Sequence, residues 1–162
     1  MRELLIKVNS NKRLKDTLSV LSYTAVISAV LSFILIVVLN VMRDLKEALI
    51  ICASSAIAFI AVTVIRKLIN AKRPYEVYDF YKELPKNRGG VSFPSRHVFS
   101  IFLIATIALS VSILAAIALY VIGVLLAIFR VLLGIHFIRD VICGAALGII
   151  GGAIPLIIIR FI

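Results

Sequence analysis

Charge-free runs long enough to cross a membrane alternate with short charged segments along this chain. The first, Thr17 to Met42, has 26 residues without an Asp, Glu, Lys or Arg. About 20 apolar residues cover roughly 30 Å of bilayer hydrocarbon, so this run predicts one spanning helix with room for tilt. Arg43, Asp44, Lys46 and Glu47 make a short polar turn, after which Ala48 to Ile65 supplies 18 charge-free residues and a second span. From Arg66 to His97 the pattern breaks: the segment is polar and basic, and Pro74, Pro85, Gly89, Gly90 and Pro94 interrupt it. Residues 66–97 are expected to be the one long loop.

Val98 to Phe129 has 32 charge-free residues. A single straight helix of that length would reach about 48 Å, well beyond the hydrocarbon core. A hairpin of two short helices is the better reading, with its turn near Ser110 and Ser112. The hairpin returns Arg130 to the membrane side of His97. Val141 to Ile159 gives a last span of 19 residues, on which Gly144, Gly148, Gly151 and Gly152 permit close helix contact. The pattern therefore predicts an all-α integral membrane bundle of about five transmembrane helices. It is one domain over residues 1–162, with one long polar loop carrying part of any site.

Composition agrees with that pattern. Of 162 residues 62% are hydrophobic and 16% charged, and the mean hydropathy is +1.14. Soluble domains are about 45–50% apolar and about 25% charged, so a cytosolic enzyme, a disordered tail and a disulfide scaffold are excluded. The net charge is +10. In a membrane chain this points to anionic headgroups or a phosphorylated substrate, and not to nucleic acid. Cys52 and Cys143 sit inside apolar runs without ligand spacing and read as small core residues. Residues 1–16 form a basic flank, an interfacial helix or a plain topology anchor; the apolar run behind it is too long for a cleaved signal peptide.

Polar residues held at fixed depth in a membrane are costly and are functional suspects. The chain has two histidines, His97 and His136, and one acid after Glu83, Asp140. Given the hairpin, all three border the same side. His136 and Asp140 are spaced i, i+4 and share a helical face. A carboxylate on one ring nitrogen fixes the tautomer and leaves the other nitrogen free as base or nucleophile; the alternative is a buried pair that only holds the start of the last helix. Around them stand Arg66, Lys67, Arg73, Arg96 and Arg130. Arginine forks match phosphate oxygens and stabilise a phosphoryl transition state, although each residue alone also reads as juxtamembrane snorkelling. So many cations disfavour a divalent ion, and neither metal nor cofactor is expected.

Three segments resemble the motifs of the type-2 phosphatidic acid phosphatase superfamily. Arg66-Lys-Leu-Ile-Asn-Ala-Lys-Arg73-Pro74 resembles KxxxxxxRP, with Arg for the leading Lys. Pro94-Ser95-Arg96-His97 resembles PSGH, with Arg for Gly. Phe129-Arg130, five residues, His136, three residues and Asp140 resemble SRxxxxxHxxxD, with Phe for Ser. The resemblance covers residues 66–140. It implies that His136 attacks phosphorus to form a phosphohistidine, that Asp140 orients its ring, and that His97 protonates the leaving oxygen and then activates water. It further implies that Arg73 and Arg130 hold the phosphate, with Arg66 in the place of the family lysine, Lys67 able to share its role, and Ser95 donating a hydrogen bond. Arg96 in place of glycine either crowds the pocket or adds a cation for a diphosphate.

The reading that follows is a multi-pass membrane phosphatase acting without metal on a lipid phosphate or polyprenyl diphosphate. The alternative is a non-catalytic membrane module that binds anionic lipid or a partner helix, which would need the arginines but not the paired histidines. Tyr75, Tyr78, Phe80 and Tyr81 suit lateral access for a lipid, or anchoring of the loop at the interface. Fifteen Lys and Arg fall on the site side against three on the other. That bias favours a cytoplasmic site by the positive-inside rule, whereas the resemblance favours an extracytoplasmic one. The sequence leaves oligomeric state and the particular lipid open.

Overall fold

Seven α-helices follow one another in the computed structural model, which describes residues 2–78 and 90–162. They are α1 (Arg2–Ser10), α2 (Lys12–Arg43), α3 (Leu45–Ile69), α4 (Pro74–Val77), α5 (Arg96–Ile107), α6 (Ile113–Leu132) and α7 (Ile138–Arg160). Side-chain caps set the breaks. Asn11 accepts from the Leu14 N–H at 3.2 Å to start α2, and Asp44 accepts from the Lys46 N–H at 2.7 Å to start α3. Ser112 opens α6 in the same way. Asn70 closes α3 in the left-handed conformation, φ 44°, which asparagine tolerates better than most residues.

Among the described residues, four helices (α2, α3, α6 and α7) contain windows long and apolar enough to cross a membrane. Helix α5 has 12 residues, about 18 Å, and would not span a bilayer by itself. It is also the most buried element: Val98, Phe99 and Ile101 through Ile107 are all shielded. A helix apolar on every side belongs inside a bundle, and α5 is packed among α2, α3, α6 and α7. Leu31, Ile57, Leu114 and Ile142 point outward, as expected where lipid replaces water. The bundle thus has five membrane helices, with the short one at its centre.

The hairpin turn falls at the expected place. A 3₁₀ turn over Ala108–Ser110 links α5 to the Ser112 cap. Arg43 holds it from the end of α2, donating to the Ser110 carbonyl at 2.9 Å. Helix α7 meets α5 through Gly144, Gly148 and Gly152, one turn apart. A Cβ at Gly148 would lie 2.4 Å from the Phe99 carbonyl oxygen, and one at Gly152 would lie 2.6 Å from that of Leu103. Gly151 faces the seam between α3 and α5, with ordinary clearance from Ala58 and Leu103. Only small residues allow two backbones this close.

Two expectations about segment boundaries change. The loop is shorter than 66–97, because α3 continues through Arg66 and Lys67 to Ile69 and α5 already begins at Arg96. A charge ends an apolar run, but a helix ends at a cap; basic side chains in its last turn suit the helix dipole and snorkel outward. Residues 2–16 are α1, its link Asn11 and the beginning of α2. Helix α1 buries Leu5 and Val8, the latter beside Leu18 and Leu133, and leaves Leu4 and Ile6 exposed. It is a packed helix with one apolar edge outward, nearer to the interfacial reading than to a plain flank.

Candidate active site

Four helix ends converge on one side of the bundle: the last turns of α3 and α6 and the first turns of α5 and α7. They carry Arg66, Arg130, Arg96 with His97, and Asp140 respectively. The Ser95 N–H donates to the Asp140 carbonyl at 2.9 Å and so ties the starts of α5 and α7 together. The Ile135 and His136 N–H groups both donate to the Arg130 carbonyl, at 3.1 and 3.3 Å, which folds the α6–α7 turn back and brings His136 inward.

His136 and Asp140 are both buried. Their Nδ1···Oδ2 separation is 3.7 Å, longer than a direct hydrogen bond. Ser92 fills the gap. Its hydroxyl donates to Asp140 Oδ2 at 2.5 Å and lies 3.3 Å from His136 Nδ1. The Phe137 N–H also donates to Oδ2, at 3.0 Å. With the Ser92 proton committed to the carboxylate, Nδ1 is the donor to Ser92 and Nε2 carries the free lone pair. Burial pushes the His136 imidazole below the ordinary histidine range, Asp140 opposing this and Arg73 adding to it. The ring is therefore neutral at pH 7.

The arginines divide into different tasks. Arg66 is buried, and its guanidinium donates to the carbonyls of Val91, Ser92 and Pro94. It clamps the segment that carries Ser92 and Ser95. Lys67, next to it, is exposed. Arg73 is half-buried beside α4; its Nε donates to the Gly90 carbonyl at 3.3 Å, and its charge lies 5.9 Å over the Tyr75 ring. Arg130 is 8% exposed, and its Nε has no hydrogen-bond partner among the described residues. The hydroxyl of fully buried Ser95 likewise has none. Buried polar atoms are almost always paired, and these two orphans belong to helix ends that converge here, as does Asp140, whose Oδ1 also has no hydrogen-bond partner among the described residues. Ser95 caps the N-terminus of α5, where the first helical N–H groups are free of intrahelical bonds and the helix dipole favours an anion.

His97 is half-buried on the first turn of α5, within electrostatic reach of the Arg130, Arg96 and Arg66 guanidiniums and of the His136 ring. It lines a cavity of about 240 Å³ with Arg96, Phe59 and Leu126. An adjoining cavity of about 340 Å³ continues between α2, α3 and α5, lined by Phe33, Cys52, Phe99 and Leu103 among others. Tyr78 packs edge-on against Phe137, with centroids 6.3 Å apart. Phe80 and Tyr81 lie outside the described residues. Among those residues no group of three or more His, Cys, Asp or Glu is arranged to hold a metal ion.

The sequence reading missed Ser92 and Glu76. Glu76 accepts from the Gly90 N–H at 2.8 Å, and the Ser92 N–H donates to the Ala71 carbonyl at 2.8 Å, so two bonds staple the motif-bearing segment to α4 and the end of α3. Gly90 has φ 72°, and a Cβ there would meet Asn70 Oδ1 at 2.3 Å. Only the closeness of Ser92 to Pro94 and His97 in the chain hinted at a role, and no spacing rule links it to His136.

No curated protein matches the chain's sequence. Two solved structures match its fold. Against Aquifex aeolicus LpxE the TM-score is 0.66 with 24% identity, over 95% of this chain and 93% of that one. Against the transmembrane PAP2 type phosphatidylglycerolphosphate phosphatase from Bacillus subtilis it is 0.74 with 22% identity, over 99% and 85%. The model of the PAP2 superfamily matches residues 47–161, which include every helix end around His136, and the chain belongs to that family.

Proposed function

We propose that this protein is a metal-independent lipid phosphatase that works through a phosphohistidine at His136. One observation carries the reading: a neutral His136, held by Ser92 and through it by Asp140, lies where four helix ends converge that also carry His97 and two orphaned polar groups, Ser95 Oγ and Arg130 Nε. A phosphate there accepts from Ser95, Arg130 and the free N–H groups of α5, with Arg73 at its rim. His136 Nε2 forms a bond to phosphorus as the bond to the lipid oxygen breaks, and His97 gives that oxygen its proton. Water then attacks phosphorus, His97 takes the water's proton, and the P–N bond breaks to release inorganic phosphate. Asp140, acting through Ser92, stabilises the imidazolium that forms.

A module that only binds anionic lipid would need the arginines, but not a histidine whose tautomer is fixed by two partners. The charge bias supports a site facing the cytoplasm, in which case a reporter fused after Ile162 lies outside. The test of the reading is phosphate release by detergent-purified protein in EDTA, from phosphatidate, phosphatidylglycerophosphate and undecaprenyl diphosphate, with His136→Ala as blank. Turnover that the variant lacks is expected. Silence of folded protein on all three lipids, or a loss that metal restores, contradicts it.

A further inference from the structure

We propose that Arg96 reads a second phosphate, so that the preferred substrate is a lipid diphosphate and the products are inorganic phosphate and the lipid monophosphate. This rests on the phosphatase reading above and narrows it.

Position carries the argument. Arg96 directly precedes His97, the residue assigned to the leaving oxygen, and lines the same cavity. Its guanidinium lies 5.9 Å from the Phe59 ring centroid, and neither of the two ion pairs among the described residues involves it. It is a half-buried cation without an acidic partner among the described residues, held at the boundary between the polar site and an apolar groove. The transferred phosphate already has Arg130, Ser95, Arg73 and the α5 N-terminus, while Arg66 is engaged by three carbonyls. What Arg96 faces is the leaving-group side. A monoester of an uncharged lipid alcohol, such as phosphatidate, offers a guanidinium nothing there, and phosphatidylglycerophosphate places its phosphodiester three carbons beyond the leaving oxygen. A diphosphate puts a charged phosphate there, and an arginine fork matches it.

The groove agrees with a chain attached beyond that second phosphate. The two cavities share walls at Val30, Phe59, Ser100 and Ile104 and run from Arg96 towards Leu103 between α2 and α3. A lipid tail leaving the second phosphate enters this apolar channel directly. The chemistry balances. His136 Nε2 bonds to the terminal phosphorus, and the bond from that phosphorus to the bridging oxygen breaks. The bridging oxygen takes the His97 proton and becomes a terminal oxygen of the lipid monophosphate, whose remaining charge Arg96 holds. Water then releases inorganic phosphate from His136 as before.

The test compares farnesyl diphosphate with farnesyl monophosphate, which share a tail, on the wild type and on Arg96→Gln and Arg96→Lys. The wild type should prefer the diphosphate by about tenfold or more in kcat/KM. Arg96→Gln should lower that preference at least roughly tenfold, and Arg96→Lys, which keeps the charge but not the fork, should restore part of it. The lipid monophosphate should appear before the free alcohol. An unchanged preference in Arg96→Gln, or parallel losses on both substrates, overturns the assignment. Wild-type turnover of the monophosphate alone overturns it while leaving the phosphatase reading intact. Failure of folded wild type on both, together with the panel above, removes the phosphatase reading itself.

Discussion

Replacing Ser92 by Ala removes one hydroxyl from a buried chain of contacts, and the geometry sets the consequence. Two interactions vanish, the 2.5 Å bond to Asp140 and the 3.3 Å contact with His136 Nδ1. Asp140 Oδ2 keeps the Phe137 N–H at 3.0 Å, but the nearest carboxylate oxygen then lies 3.7 Å from Nδ1, out of direct reach. Hydrogen bonds to charged groups contribute about 1.5–3 kcal/mol. The contact matters most when the ring becomes positive in the phosphoryl-transfer step, so this energy comes off the transition state. At about 1.4 kcal/mol per tenfold, kcat should fall about 10–100-fold. KM should move by less than about threefold, because the hydroxyl is committed to His136 and Asp140 and not to the phosphate. The assay is steady-state phosphate release with kcat and KM resolved separately, below the melting temperature of the variant. Ser92→Thr keeps the hydroxyl and should recover part of kcat, a rescue that a purely structural role would not give. A kcat within about threefold of the wild type, or a defect confined to KM, would refute the bridging role.

Other expectations follow from the same geometry. His97→Ala should slow release most from alkyl phosphates and least from an activated aryl phosphate, whose leaving group needs no proton; equal losses on both would remove His97 as the acid. Burial holds His136 below the ordinary histidine value near 6.5, so its free nitrogen stays unprotonated as pH falls to that point. The acid limb of kcat/KM shared by substrates of different second ionisation should therefore lie below about pH 6.5, and a shared limb above 7 would contradict a buried neutral ring. By the same sign, the unfolded chain takes up a proton near pH 6.5 that the folded protein refuses, so thermal stability should decline as pH drops below that value. Gly148→Val forces a side chain into the Phe99 carbonyl and should cost about 1–3 kcal/mol or more, read as a lowered melting temperature in detergent. An unchanged melt would show that α5 and α7 can move apart freely.

Much of this architecture was legible in the sequence because a bilayer imposes length on apolar runs. The 32-residue run from Val98 to Phe129 was too long for one span and too short for two ordinary ones. The structure resolves that through a central helix of 12 residues shielded from lipid by its neighbours. The i, i+4 spacing of His136 and Asp140 marked them as a pair, but spacing could not show that 3.7 Å and a serine separate their polar atoms. Ser92 is 44 residues from His136, and only the tertiary turn that brings the segment before α5 against the start of α7 joins them. The division among the arginines was equally hidden. Arg66 and Arg130 read alike as juxtamembrane cations, yet one donates to three carbonyls and the other keeps an unpaired Nε. Burial and acceptor geometry decide such roles, and neither is written in local pattern.

The most direct measurement is to look for phosphorus on His136. His97→Ala should slow hydrolysis of the intermediate, so this variant is mixed with a lipid phosphate or diphosphate, quenched in alkali, which spares phosphohistidine, and digested for mass spectrometry. A phosphoryl group is expected on the peptide carrying His136, dependent on the lipid and absent from the His97→Ala, His136→Ala double variant. An enzyme that turns over lipid while His136 stays unmodified, and that keeps its rate in His136→Ala, would contradict the mechanism at its root.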